Sequence, residues 1–302
     1  MAPVRVTIAY DGSEGAMRAV AAAATLFAGA EARLVLVPDP PPQLQSALPS
    51  LSWDTLNRVV EEFEADRLHS LQELVDEGVA AAEGLSATGV VVEPHAPAWQ
   101  ALLKAAEGSD VLVCGTRGRG GLARALLGST SMSLLHHAEL PLLITPAAAG
   151  DGPLVIAYDG SEHAAHAIAT AGRLFPGREA VVVHVWESPY RHTRSGRALA
   201  GLNVDEVREV VKGLDETLAT AAAEMTERGV ELARFAGLQP SGETVDSGEG
   251  VWRAIVATAS AQQASAIVSG ARGLGSARSA LLGSVSSGLV QNAERPVLVV
   301  PA

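Results

Sequence analysis

VRVTIAYDGSE, residues 4–14, returns as PLVIAYDGSE at residues 153–162, and the shared string IAYDGSE decides the architecture. In each copy a short apolar run ends in Asp-Gly-Ser-Glu. An alanine-rich stretch follows the first, with apolar residues to about Phe27 and Gly29 as a stop signal. That is a strand feeding a helix, and its recurrence at an offset of 148 makes the chain two copies of one unit. Further on, GTRGRGGLARALLGST at 115–130 matches GARGLGSARSALLGSV at 270–285, now offset by 155. Trp99 and Trp252 align at 153, so five of the seven extra residues of the second copy enter before this helix and two within or just after it. The copies close alike, in ELPLLITP at 139–146 and ERPVLVVP at 294–301. The short linker AAAGDG at 147–152 sets domains at 1–147 and 152–302, as expected for a 302-residue chain built from units of about 150 residues.

Within each copy, β-branched runs alternate with longer helical patterns, the signature of βαβ units around a parallel sheet. In the first copy the pattern predicts strands at 4–9, 33–37, 89–93, 110–114 and 141–145. Helices are predicted from the Asp11–Glu14 turn to about Phe27 and at about 52–83, 97–107 and 129–138. Leu56, Val59, Phe63, Leu68, Leu71 and Val75 set the apolar spacing of the long second helix. Right-handed connections make each half an α/β doubly wound sheet, and such sheets bind ligands at the carboxyl ends of their strands.

Composition narrows the function. The chain is 48% hydrophobic and 19% charged, in keeping with a folded core, and its net charge of -12 argues against nucleic acid or an anionic membrane surface as partner. The one cysteine, Cys114, excludes a disulfide framework, and no Cys/His cluster has zinc spacing. The longest apolar run, Ala19 to Ala30, is too short to span a bilayer and no signal-peptide pattern precedes it, so a cytoplasmic setting is expected.

Three features fall at strand ends in both copies. Asp11 and Asp159 follow the first strand directly, where an aspartate serves either as a helix cap, with Glu14 or Glu162 completing a capping box, or as a ligand group. Gly115 and Gly118, then Gly128-Ser129, recur as Gly270 and Gly273, then Gly283-Ser284. Tight turns and a serine cap would account for each glycine separately, but strand end, glycines and helix start together favour a phosphate cradle. Arg117 and Arg272 occupy equivalent places in this loop, with Arg119, Arg124 and Arg278 nearby, as phosphate forks or as solvated surface residues.

With these motifs, both halves resemble universal stress protein domains of the ATP-binding subclass, along almost the whole chain. The resemblance implies a Rossmann-like, five-stranded parallel domain in each half, with ATP, up to two per chain and Mg2+ as a candidate companion, held at the strand ends. Carried over by position, Asp11 and Asp159 sit at the ribose and adenine end. Val37 and Val185 contact adenine through backbone, and Ala9 and Ala157 line the same wall. Gly115, Gly118, Gly128, Ser129 and Thr130 take ribose and phosphates in the first half, and Gly270, Gly273, Gly283, Ser284 and Val285 in the second. Val285 in place of Thr130, and Trp186 in place of Pro38, make unequal affinities an expectation. The implied role is a nucleotide-responsive stress regulator with a protein partner not identified by sequence. Pairing through 141–145 and 296–300 would make the chain an intramolecular pseudodimer, with homodimers as a further option.

Competing motifs are weaker. GRGGLA at 118–123 matches a dinucleotide fingerprint but follows the fourth strand, and its counterpart GLGSAR breaks the pattern. No Walker A sequence exists. His163 and His166 share a helix face without a metal-spaced partner, His136 and His137 suit a helix end, and Cys114 is replaced by Ser269 in the second copy. His184, ending the second strand, is a candidate neighbour of adenine, where the first copy has Leu36. No catalytic residue is nominated. The alternatives are a slow metal-dependent ATP hydrolase and a nucleotide-free interaction scaffold. Loops 38–51 and 187–201 differ most between copies and are read as solvated loops, or as a lid or partner surface.

Overall fold

The computed structural model describes residues 3–39, 53–93, 96–116, 118, 127–187, 204–248, 250–273 and 282–301. Most of the two divergent loops, together with Arg117, Arg119, Arg124 and Arg278, therefore lies outside the described residues. The chain divides into two compact units, Met1–Ala148 and Ala149–Ala302.

The first unit runs β1 (Arg5–Ala9), α1 (Glu14–Leu26), β2 (Glu31–Leu36), α2 (Trp53–Ala81), β3 (Ser86–Val91), α3 (Ala98–Ala105), β4 (Val111–Gly115), α4 (Ser129–His137) and β5 (Leu142–Thr145). The second repeats it as β6 (Leu154–Ala157), α5 (Glu162–Leu174), β7 (Glu179–Trp186), α6 (Val204–Phe235), β8 (Gln239–Asp246), α7 (Val251–Ala261), β9 (Ala266–Gly270), α8 (Ser284–Asn292) and β10 (Val297–Val300). All ladders within a unit are parallel, in the order β3-β2-β1-β4-β5 in the first and β8-β7-β6-β9-β10 in the second. Chain order reverses direction between β1 and β4, and again between β6 and β9. Right-handed crossovers then place α1 and α2 on one face of the first sheet and α3 and α4 on the other.

Burial follows the residue types. The inner strands β4 and β9 are buried along their whole length, which is why they read as continuous apolar runs without alternation. Ile8, Leu34, Leu112, Leu143 and Ile144 are fully buried in the first unit, each contributing roughly 1.5–3 kcal/mol. The outer strand β3 starts at Ser86, three residues before the expected 89, because its polar first half is only partly covered. On α2 the apolar spacing overstates the core: Val75 is buried, but Phe63 and Leu68 are each 42% exposed. Leu56 and Val59 lie outside the described side chains, and among the described ones burial comes in the carboxyl half of the helix.

Small residues set how closely helices approach. A Cβ on Gly115, the last residue of β4, would lie 2.6 Å from the Gly15 carbonyl oxygen in α1; on Gly270 it would lie 2.9 Å from that of His163 in α5. Gly78 of α2 faces the ring of Tyr10 and Leu34, as Gly229 of α6 faces Tyr158 and Val182, which fixes the correspondence of the two long helices. Trp99 stacks on His137 with ring centroids 4.3 Å apart, and Trp252 abuts Gly288 beneath the Arg253 guanidinium. Both tryptophans join one helix to the next.

Candidate functional site

The turn after the first strand is built identically twice. Gly12 and Gly160 adopt φ of 75° and 83°, a conformation open to glycine at little cost. The Ser13 N–H donates to Asp11 Oδ1 at 3.0 Å, and the Ser161 N–H to Asp159 Oδ1 at 3.0 Å. The helix caps are the serines: Ser13 Oγ accepts from the Ala16 N–H at 3.2 Å and Ser161 Oγ from the Ala164 N–H at 3.1 Å. The capping reading of Asp11 and Asp159 is thereby corrected. Each aspartate holds the turn with one oxygen, and its other oxygen faces the glycine loop: a Cβ on Gly118 would collide with Asp11 Oδ2, and one on Gly273 with Asp159 Oδ2.

The fourth strand and the following helix meet in the same way in both units. The Gly128 N–H donates to the Thr116 carbonyl at 2.8 Å, and the Gly283 N–H to the Ala271 carbonyl at 2.8 Å, drawing the helix start back to the strand end. Ser131 Oγ donates to the Gly115 carbonyl at 2.8 Å, and Ser286 Oγ to the Gly270 carbonyl at 2.6 Å, locking the first helical turn there. Gly128 and Gly283 are the N-caps and supply no side-chain cap, so the first N–H groups of α4 and α8 carry the positive end of the helix toward the strand edge. Gly115 and Gly270 also have a packing part. Their missing side chains admit the α1 or α5 backbone close against the strand end.

In the first unit these parts enclose a cavity of about 760 Å³ at the carboxyl ends of β1, β2 and β4. Its wall includes Ala9, Asp11, Val37, Gly115, Gly118, Gly128, Ser129 and Thr130. Leu36, the first-half counterpart of His184, is in the apolar wall; sequence reading did not single out Tyr10, Ala98 or Leu102, which complete that wall, or Arg67, which reaches in from α2. In the second unit Ala157 ends β6, Val185 lies in the longer β7, and Gly273, Gly283, Ser284 and Val285 hold the corresponding places. Arg272 is half-buried in the turn between Ala271 and Gly273.

Other candidates fall into structural roles. Cys114 lines the cavity but is buried, which pushes its thiol up to about 12 despite the Ser131 hydrogen bond, so it is no nucleophile near neutral pH. His184 Nδ1 donates to the Tyr158 carbonyl at 2.9 Å, a contact for which Leu36 has no equivalent. Among the described residues, no group of three or more His, Cys, Asp or Glu gathers to hold a metal.

The model of the universal stress protein family matches residues 4–146 and again 152–301. This chain belongs to the universal stress protein family. A universal stress protein of Mycolicibacterium smegmatis is 33% identical over 208 residues, covering 66% of this chain and 64% of that relative's own length. The crystal structure of a universal stress protein from Archaeoglobus fulgidus aligns over 98% of both chains at 21% identity and a TM-score of 0.60, which places the fold with that family's. Another from Archaeoglobus fulgidus, solved in complex with dAMP, covers 49% of this chain with a TM-score of 0.33, a likeness too slight to carry its ligand over.

Proposed function

We propose that each half binds an adenine nucleotide, ATP first, and that the chain acts as a nucleotide-responsive stress regulator in the cytoplasm. The observation that carries this reading is the cavity joining the Asp11 turn to the start of α4. An apolar wall of Ala9, Val37 and Leu102 runs along it, and uncapped helical N–H groups stand at one end. Its size suits one nucleotide, since small-molecule sites run from about 300 to 1,000 Å³. An apolar wall suits a base, and a glycine-flanked helix start suits phosphate.

The residues fit that division of labour. Asp11 and Asp159, fixed by their own turns, accept ribose hydroxyls. Gly118 and Gly273 keep the loop close beside them, and Gly128–Thr130 and Gly283–Val285 present backbone donors to phosphate oxygens. Arg117 and Arg272 stand in the same loop as candidate counter-charges. Any Mg2+ would arrive on the phosphates, since the described residues gather no metal site of their own. Among the described residues no helix is long and apolar enough to cross a membrane. Under this reading, ATP biases the conformation of the strand-two loops, and a protein partner responds to it, the driving term being the difference in affinity between loop states.

The experiment is to denature freshly purified protein, identify released nucleotide by chromatography and mass spectrometry, and titrate the emptied chain with ATP and Mg2+. Near two equivalents at saturation are expected. No bound nucleotide and no binding at millimolar ATP would leave the chain a scaffold that uses the fold for protein contacts alone.

A further inference from the structure

The two halves differ at the end of the second strand, and the difference includes a cation. Arg67 sits eleven residues before Gly78 on α2, and Leu218 sits eleven before Gly229 on α6, so they occupy the same place in the two units. Arg67 Nη2 donates to the Asp39 carbonyl at 2.7 Å, three residues beyond β2, and its side chain lines the cavity beside Val37 and Pro38. The start of α4 lies at the end of β4, two strands away, or about 10 Å at ordinary strand spacing. The guanidinium thus stands at the opposite end of the cavity from the phosphate-suited donors. A ligand bound between the two ends would meet α4 with its anion and Arg67 with its other extremity.

We infer that Arg67 is the base-side specificity determinant of the first half, resting its guanidinium plane on a purine or donating to a ring nitrogen. This rests on the nucleotide reading above and deepens it. Hydrogen bonding to the Asp39 carbonyl fixes one arm of the fork, and the planar, weakly hydrated group is suited to stacking on an aromatic face. At the matching place the second half has Leu218, and it has Trp186 where the first has Pro38, so Leu218 and the half-buried indole present an apolar and aromatic surface there instead. The same base then meets a cation at this place in one half and an apolar residue in the other.

The test uses the full chain with the second site closed by Gly273→Val, and calorimetric titration with ATP and with inorganic tripolyphosphate. Arg67→Leu, which installs the residue of the second half at a partly exposed helical position, should weaken ATP about tenfold and leave tripolyphosphate unchanged. Arg67→Lys, which keeps charge but loses the plane, should fall between. The reciprocal Leu218→Arg, in a chain closed at the first site by Gly118→Val, should strengthen ATP without affecting tripolyphosphate. Equal weakening of both ligands by Arg67→Leu would make the residue a general electrostatic contributor and overturn the inference. Unchanged ATP affinity would overturn it too, while leaving the nucleotide reading intact. Failure of the parent chain to bind ATP would instead remove the nucleotide reading, and this inference with it.

Discussion

Asp11 and Asp159 accept from Ser13 and Ser161 at the same 3.0 Å, and a Cβ on Gly118 or Gly273 would meet the facing carboxylate in the same way. At the end of the second strand the halves part company: Leu36, Pro38 and Arg67 in one stand where His184, Trp186 and Leu218 stand in the other. The conserved geometry is the part that fixes backbone, in which any change of shape is costly. The divergent part consists of side chains, from the buried Leu36 to the part-exposed Arg67 and Trp186, and exchanging them leaves the strand-one turn unchanged. Under the proposed nucleotide reading, the two halves share one anion cradle and meet the remainder of the ligand differently.

The cradle comparison breaks most easily at its glycines. Gly118→Val and Gly273→Val should each reduce the bound ATP from two equivalents to one, and the double variant should lose binding by at least about a hundredfold, since a branched side chain there lands on the aspartate. Calorimetric stoichiometry reads this directly, and a double variant that still binds two ATP would show that the strand-one turn is not the site.

Gly115→Ala and Gly270→Ala should act on stability instead. Overpacking against a backbone carbonyl costs about 1–3 kcal/mol, with Gly115 the worse because its clearance is 2.6 Å against 2.9 Å. Urea unfolding gives both numbers, and equal losses would mean that the closer approach in the first half carries no strain.

Cys114 sharpens the comparison through pH. The folded thiol titrates near 12, above its ordinary 9.0, so between those values the unfolded chain has lost a proton that the folded chain retains. Stability should therefore fall as pH rises above about 9, by up to about 1.4 kcal/mol per pH unit for this one group. Cys114→Ser, which gives the first half the residue found at Ser269, should remove that slope. A slope unchanged in the variant would assign the alkaline loss to other groups.

The smallest effects should be the most symmetrical. Ser13→Ala and Ser161→Ala each delete a cap hydrogen bond and should cost about 1 kcal/mol apiece in thermal unfolding. Unequal losses would show that the two turns, alike in geometry, differ in energy.

Much of the fold was legible because duplication is visible in letters and because buried parallel strands such as VTIA and VLVCG are continuous apolar runs. Edge strands were harder. SATGVV and QPSGETVD carry polar residues, and glycine and proline within them read as turn signals. Gly89 and Gly242 are instead there because side chains of α2 and α6, Val75 and Thr226 among them, press onto the strand. At the site, the tetrapeptide DGSE announced a turn but not which residue caps the helix. That depends on backbone dihedrals at Gly12 and Gly160. Arg67 could not be found at all, since one arginine on a helix rich in charge reads as a solvated face until the fold brings it to the Asp39 carbonyl.

The central claim is that both helix starts receive the anionic end of a nucleotide, and hydrogen–deuterium exchange with and without saturating ATP tests it most directly. Slowed exchange of amides at 128–131 and at 283–286, together with the Asp11 and Asp159 turns, is the predicted result. ATP bound at saturation with no protection at either helix start would contradict the account.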